Sequence, residues 1–209
     1  MENLVVMNHP LITHKMSILR SQTTSSKEFR ELIKEITMLM CFESMKDAEM
    51  QEVEVQTPLM SMKTKVLFDK HMIFIPILRA GLGMVDGIMG MIPTARFGHI
   101  GLYRDHETLQ PVEYYCKLPA GIENKDIVLL DPMLATGGTV VDAVSLIKKR
   151  NPRSIKFMCI VASPQGIEAV SKAHPDVKIF CAAKDEGLNE DGYILPGLGD
   201  AGDRIFGTK

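Results

Sequence analysis

The chain has no tryptophan, no CxxC pair, no excess of either charge and no apolar run that reaches bilayer-spanning length. Each absence removes a class of function. A formal charge of -2 and a pI near 6.3 give no global basic field, so wholesale binding of nucleic acid or of a membrane surface has no support in composition. The four cysteines, Cys41, Cys116, Cys159 and Cys181, are scattered. The opening residues are too short and too weakly charged for a secretory signal, so the expectation is a cytoplasmic protein with reduced thiols. His9, His14, His71, His99, His106 and His174 show no metal-ligand spacing, and the fifteen methionines read as core filling. Small-molecule chemistry remains.

What is present points to one layered unit. At 209 residues, with 45% apolar and 24% charged residues, the chain can bury one sizeable core and reads as a single domain over 1–209, with an N-terminal helical arm to about residue 45. Ser25 followed by Glu28 forms a capping box, and Phe29, Leu32, Ile33, Ile36, Leu39 and Met40 recur at helical spacing. EVEVQT, residues 52–57, alternates as a half-exposed strand near a sheet edge, whereas Met72 to Leu78 is continuously apolar and reads as a strand buried on both faces. FGHIGLY and VEYYCK are further strands. RDHETLQP between them is polar and turn-prone and reads as the tip of a long hairpin rather than core.

The second half repeats strand, helix, strand. DIVLLD precedes a helix faced by Val140, Val141, Val144 and Ile147; SIKFMCIVA leads to a helix capped by Ser163 with Pro164 in its first turn, then to VKIFCAA. This alternation predicts an α/β fold with a mostly parallel sheet flanked by helices and ligands beyond the carboxyl ends of the strands. Three loops are expected to meet there: RAGLG after residue 78, DPMLATGGT after residue 130, and the loop beginning near Lys184. The glycine-rich tail GYILPGLGDAGDRIFGTK reads as irregular.

The loop after residue 130 has the strand, Gly-rich turn and helix of a phosphate site but no Walker lysine, since Thr139 follows Gly137-Gly138. Amides from Ala135 to Thr139, the hydroxyls of Thr136 and Thr139 and the helix dipole can hold one terminal phosphate. Asp131 at the strand end suits a vicinal diol, and phosphate beside a diol describes a ribose 5-phosphate. A purely structural reading fits the same residues: Asp131 caps a turn and the glycines serve packing. Arg79 to Gly83 supplies a second anion site, a guanidinium fork beside glycines.

DPMLATGG, PILRAGLGM, YRDHETLQPVEYY and GYILPGLGDAGDRIFGTK together resemble the uracil phosphoribosyltransferases, a type I phosphoribosyltransferase family, and HPLITHK, SSKEFREL, KAHPDVKIF and GLNEDGYILPG extend the likeness over nearly the whole chain. The resemblance implies a type I phosphoribosyltransferase-like fold with a β-hairpin arm and a C-terminal hood loop. It implies transfer of the 5-phosphoribosyl group of phosphoribosyl pyrophosphate (PRPP) to uracil, giving UMP and pyrophosphate in pyrimidine salvage, with Mg²⁺ carried mainly by the pyrophosphate. By that likeness Asp131, Pro132, Met133, Leu134, Ala135, Thr136, Gly137, Gly138 and Thr139 bind the ribose 5-phosphate, and Arg79 and Arg104 the pyrophosphate, so the hairpin from Arg104 to Pro111 is expected to be mobile without ligand and to close over the bound diphosphate. Asp200 faces the donor and its metal, and Ile194, Gly199, Asp200 and Ala201 line the uracil pocket in a segment of about 187–209. Arg79, Arg104, Asp131 and Asp200 are the catalytic candidates. A homo-oligomer is expected, without nucleic acid or membrane partners.

Pro132 stands where the wider type I pattern has a second acid, as it does in the uracil branch, so diol binding rests on Asp131 alone. Gly197, Gly199 and Gly202 are expected to let main chain approach the planar base. In isolation Arg104 reads as a solvated surface residue, and Asp185 with Glu186, next to a predicted strand end, as a charged loop rather than as groups that orient a pyrophosphate-bound metal. Two competing functions remain at this level: a non-catalytic regulator of the same fold that senses the sugar diphosphate, and a purine or orotate transferase. The tail discriminates against the second, and the acidic balance with the intact tail against the first.

Overall fold

The computed structural model describes residues 3–104 and 111–208, apart from the side chains of Lys70, Arg104 and Pro111. The expected hairpin tip and its closure lie largely outside the described residues. In chain order the first half comprises β1 (Leu4–Val6), α1 (Pro10–Arg20), α2 (Ser26–Ser44), β2 (Met50–Gln56), β3 (Ser61–Leu67), β4 (Met72–Leu78), α3 (Val85–Met91), β5 (Arg96–Phe97), β6 (His99–Arg104) and β7 (Pro111–Lys117). The second half comprises β8 (Asp126–Leu130), β9 (Met133–Leu134), α4 (Gly138–Lys148), β10 (Ser154–Ala162), α5 (Pro164–Ala173), β11 (Lys178–Lys184), β12 (Gly187–Leu188), β13 (Ile194–Leu195) and α6 (Ala201–Phe206).

The central sheet runs β1-β11-β10-β8-β4-β6-β7, with β5 on β4 and β9 on β10. Every pairing in it is parallel except β6 with β7. The two-residue strand period sorts the apolar runs onto two faces. Phe74, Val128, Leu130, Met158, Ile160 and Phe180 face α1, α2, α3 and α6, whereas Ile73, Ile75, Ile127, Leu129, Phe157 and Ile179 face α4 and α5. Burial on both faces is why β4 reads as an unbroken apolar run.

α2 starts as its sequence predicts: Ser25 is the N-cap and its Oγ accepts from the Glu28 amide at 3.2 Å, a contact worth about 1 kcal/mol. Phe29, Leu32, Ile33, Ile36 and Met40 are buried, with Thr37 among them, while Leu39 sits at the margin of the core. Ser163 caps α5 with Pro164 in its first turn, its Oγ accepting from Gly166 N–H at 2.9 Å.

Two expectations are corrected. β2 is exposed, but it does not edge the main sheet; it pairs only with β3, as a separate antiparallel hairpin. The tail is not wholly irregular, because Ile194–Leu195 pairs with Gly187–Leu188 and residues 201–206 form a short helix capped by Asp200.

Candidate active site

The strand order brings the carboxyl ends of β4 and β8 side by side, Pro76 opposite Leu130, and the residues just beyond them face one cleft of about 330 Å³. Arg79, Asp131, Met133 and Ala135 line it from the sheet side, and Ile194, Gly199, Asp200 and Ala201 from the tail. The Leu78–Arg79 peptide is cis. The exposed Arg79 side chain makes no hydrogen bond or ion pair to the described residues, so an anion in the cleft would be its partner.

A smaller recess of about 90 Å³ continues from the same Asp131, Met133 and Ala135 to Leu134, Thr136, Gly137 and Thr139. Its shape follows from local backbone chemistry. Gly137 takes a left-handed φ of 84° as N-cap of α4, and the first helical bond runs from Val141 N–H to the Gly137 carbonyl at 2.9 Å. The amides of Gly138, Thr139 and Val140 therefore have no intrahelical acceptor and form the positive end of the helix. Pro132 and Gly138 line neither space: buried Pro132 accepts from Ile160 and Val161 in the ladder, and Gly138 opens the helix.

Asp131 sits where the two spaces meet. Met133 N–H donates to its Oδ1 at 3.1 Å. Its carboxyl keeps part of its surface on the cleft, but protein surrounds the rest; this desolvation pushes its pKa up to about 7, only partly offset by the Met133 amide. The carboxyls of Asp47, Glu49, Asp126 and Asp176 are instead held below their ordinary values, so Asp131 is a candidate by electrostatics as well as by position.

The tail contributes donors from its own helix start. Asp200 Oδ1 accepts from Asp203 N–H at 2.8 Å, and Arg204 N–H bonds the Asp200 carbonyl at 3.0 Å. The Ala201 and Gly202 amides precede those bonds and lie at the cleft wall. Gly197 does not line this cleft.

A sequence model of the uracil phosphoribosyltransferase family matches residues 6–208. The chain belongs to that family. A uracil phosphoribosyltransferase of Geobacillus sp. strain WCH70 is 58% identical over 209 residues, covering 100% of both chains. A solved structure, the AQ2163 protein from Aquifex aeolicus, superposes with a TM-score of 0.92 at 40% identity over 97% of each chain. A hypoxanthine phosphoribosyltransferase from Staphylococcus aureus shares the fold, with a TM-score of 0.53 at 15% identity over 87% of this chain and 84% of that one.

Within the uracil phosphoribosyltransferase frame, the sites anticipated from sequence fall into three groups. Arg79, Asp131 to Thr139, Ile194, Gly199, Asp200 and Ala201 converge as described, apart from Pro132 and Gly138. Arg104 lies in β6 opposite Pro111, and its side chain lies outside the described residues. Asp185 is corrected: it is buried, not part of an exposed charged loop, and pairs with Arg20 at 2.6 Å. The third loop thus reaches the sheet's carboxyl edge but faces the tail.

Gly202, expected beside the base, does line the cleft, while sequence reasoning missed Ala80, Gly192 and Tyr193. The last two lie inside the quoted tail motif, so position alone could have suggested them. A larger cavity of about 570 Å³ adjoins the cleft and shares Tyr193, Gly199 and Asp200. Its two arginines are bound to protein groups, Arg20 to Asp185 and Arg204 to the Leu198 and Ser21 carbonyls, so it offers an anion less than the smaller cleft does.

Proposed function

We propose that this uracil phosphoribosyltransferase transfers the 5-phosphoribosyl group of phosphoribosyl pyrophosphate to N1 of uracil, releasing UMP and pyrophosphate. The observation that carries the reading is the continuity of the site: one cleft joins an amide-lined recess, a carboxylate and an unpaired arginine to glycine-rich backbone in the tail. Those features match, in order, a 5-phosphate, a ribose diol, a pyrophosphate and a planar base.

The amides of Thr139 and Val140 and the hydroxyls of Thr136 and Thr139 hold the 5-phosphate. Asp131 accepts from the 2- and 3-hydroxyls of the ribose, and Arg79, with Arg104 on the hairpin, takes the pyrophosphate. Uracil offers O2 and O4 acceptors around an N3 donor, which backbone groups around Ile194 and Gly199 to Ala201 read. The N1–C1 bond forms as the C1–O bond to pyrophosphate breaks, and the N1 proton leaves with the bond change. Positive charge develops at the anomeric carbon, so positioning and electrostatics dominate, and no nucleophilic side chain is needed.

Mg²⁺ fits this site as a substrate-borne ion. Among the described residues no group of three His, Cys, Asp or Glu could hold a metal, yet Asp131 and Asp200 face the same cleft as the proposed pyrophosphate position. Asp200 spends Oδ1 on its cap and would help to hold the ion with the rest of its carboxylate. When bound, Mg²⁺ would neutralise charge on the leaving pyrophosphate.

We also read residues 1–209 as one catalytic unit, working as a homo-oligomer in the cytoplasm. The four cysteines are all unpaired, in keeping with a reducing compartment, and among the described residues no helix is long and apolar enough to cross a membrane. The β2–β3 arm carries Leu59 and Met60 at 94% and 66% exposure, a candidate contact between copies. The test of function is uracil-dependent release of pyrophosphate from the donor by the purified chain with Mg²⁺. Stoichiometric UMP supports it; donor binding without turnover would instead indicate a sensor.

A further inference from the structure

Two charged side chains outside the cleft hold the turn from which its base-facing wall begins. Gly197 has a left-handed φ of 63°, and a Cβ there would lie 2.0 Å from the Ile194 carbonyl oxygen, so the turn admits no side chain of its own. Its backbone is instead gripped from both sides. Asp185 Oδ2 accepts from Gly197 N–H at 2.8 Å, and Arg20 Nη1 donates to the Gly197 carbonyl at 2.6 Å.

The same two side chains bond each other. Arg20 Nη1 donates to Asp185 Oδ2 at 2.8 Å and Nη2 to Oδ1 at 2.6 Å, closing a ring of charge-assisted hydrogen bonds around one residue. One residue further, Arg204 Nη1 donates to the Leu198 carbonyl at 2.8 Å and Nη2 to the Ser21 carbonyl at 2.6 Å, its guanidinium lying 4.3 Å from the Phe29 ring centroid. Gly199, Asp200 and Ala201 follow directly and line the cleft.

A buried ion pair is weak evidence for stability, since apolar side chains of similar size often serve as well. What this pair supplies is direction. It binds both an N–H and a C=O of Gly197, so it fixes how that residue is rotated, and hence where the amides two to four residues later point. Base recognition by backbone is sensitive to displacements of that kind, because no side chain can adjust to recover the contact. Neither Arg20 nor Asp185 bonds the loop of residues 131–139, which hangs from β8 and β10.

We infer that Arg20 and Asp185 are positioning residues for the nucleobase, setting the Gly197–Asp200 turn and through it uracil affinity and selectivity, with little influence on the donor. This rests on the transferase reading of the cleft. Mutual support with Arg204 makes the turn a unit tied to the end of α1.

The test compares Arg20→Lys and Asp185→Asn with wild type in the full chain. Steady-state kinetics for uracil and cytosine are combined with calorimetric binding of phosphoribosyl pyrophosphate and Mg²⁺ and with thermal denaturation. The expected result is a rise of about tenfold or more in KM for uracil, reduced preference for uracil over cytosine, and donor affinity within about threefold of wild type. Arg20→Lys keeps the charge but not the fork, and carries the test should Asp185→Asn not fold. Equal losses for uracil and donor, or lower thermal stability with unchanged uracil KM, would overturn the inference. A wild-type chain that turns over no uracil would instead overturn the reading of function beneath it.

Discussion

Met133 N–H holds Asp131 Oδ1 at 3.1 Å, one residue past the end of β8 and at the junction of the amide-lined recess and the larger cleft. An asparagine Oδ1 could accept the same bond. What it could not do is accept from both hydroxyls of a diol, because its second atom is a donor. Asp131→Asn should therefore lower kcat/KM for the donor by roughly ten- to a thousandfold. Thermal stability at pH 8 should equal or exceed wild type, since a desolvated charge is removed. Lost activity accompanied by lost stability would return Asp131 to a turn-capping role.

The raised pKa has a sign that can be read in two ways. Burial favours the protonated form in the folded state, so Asp131's contribution to stability is fully present below its ordinary value of 3.8 and is lost as pH rises through about 7. The stability of Asp131→Asn relative to wild type should consequently grow between about pH 4 and pH 7. Donor use should change in the opposite direction, because the diol needs the carboxylate. An ascending limb in donor kcat/KM near pH 7, flattened in Asp131→Asn, is the expected profile.

Gly166, at the start of α5, backs the recess of residues 131–139. A Cβ there would lie 2.4 Å from the Ala135 carbonyl oxygen and 2.8 Å from that of Leu134. Backbone cannot yield as a flexible side chain can, so Gly166→Ala should cost about 1–3 kcal/mol and raise donor KM while leaving uracil KM nearly unchanged. Denaturant unfolding with two-substrate kinetics checks both halves.

Arg79 reaches the cleft without a protein partner among the described residues. Arg79→Lys retains the charge but loses the planar fork, so donor KM should rise by about tenfold or more, with thermal stability unchanged. A variant with wild-type donor kinetics would show that the fork does not meet the pyrophosphate.

The parts of the fold legible in sequence are those governed by local pattern. β4 shows as an apolar run because it is buried on both faces, and α2 and α5 show through serine caps that act within three residues. β3 did not show: SMKTKVL places lysines on an exposed strand whose only partner is β2. The short pairing of Gly187–Leu188 with Ile194–Leu195 was equally hidden, since two-residue strands carry no periodicity.

The site divides in the same way. Arg79, Asp131 and the tail glycines lie in stretches with a chemical signature of their own. Arg20 and Asp185 are 165 residues apart and meet only because α1 and the end of β11 converge on Gly197. Nothing local marks either one: a terminal helix arginine and an acid after a strand are ordinary in isolation.

Whether tail backbone reads uracil is decided by the ratio of kcat/KM for uracil to that for cytosine. Cytosine exchanges the O4 acceptor for an amine and lacks the N3 proton, leaving two backbone partners unpaired at about 1 to 3 kcal/mol each. With saturating donor and Mg²⁺, backbone reading of the base gives uracil-dependent UMP formation and a preference over cytosine of roughly thirtyfold or more. Comparable turnover of the two bases would contradict it.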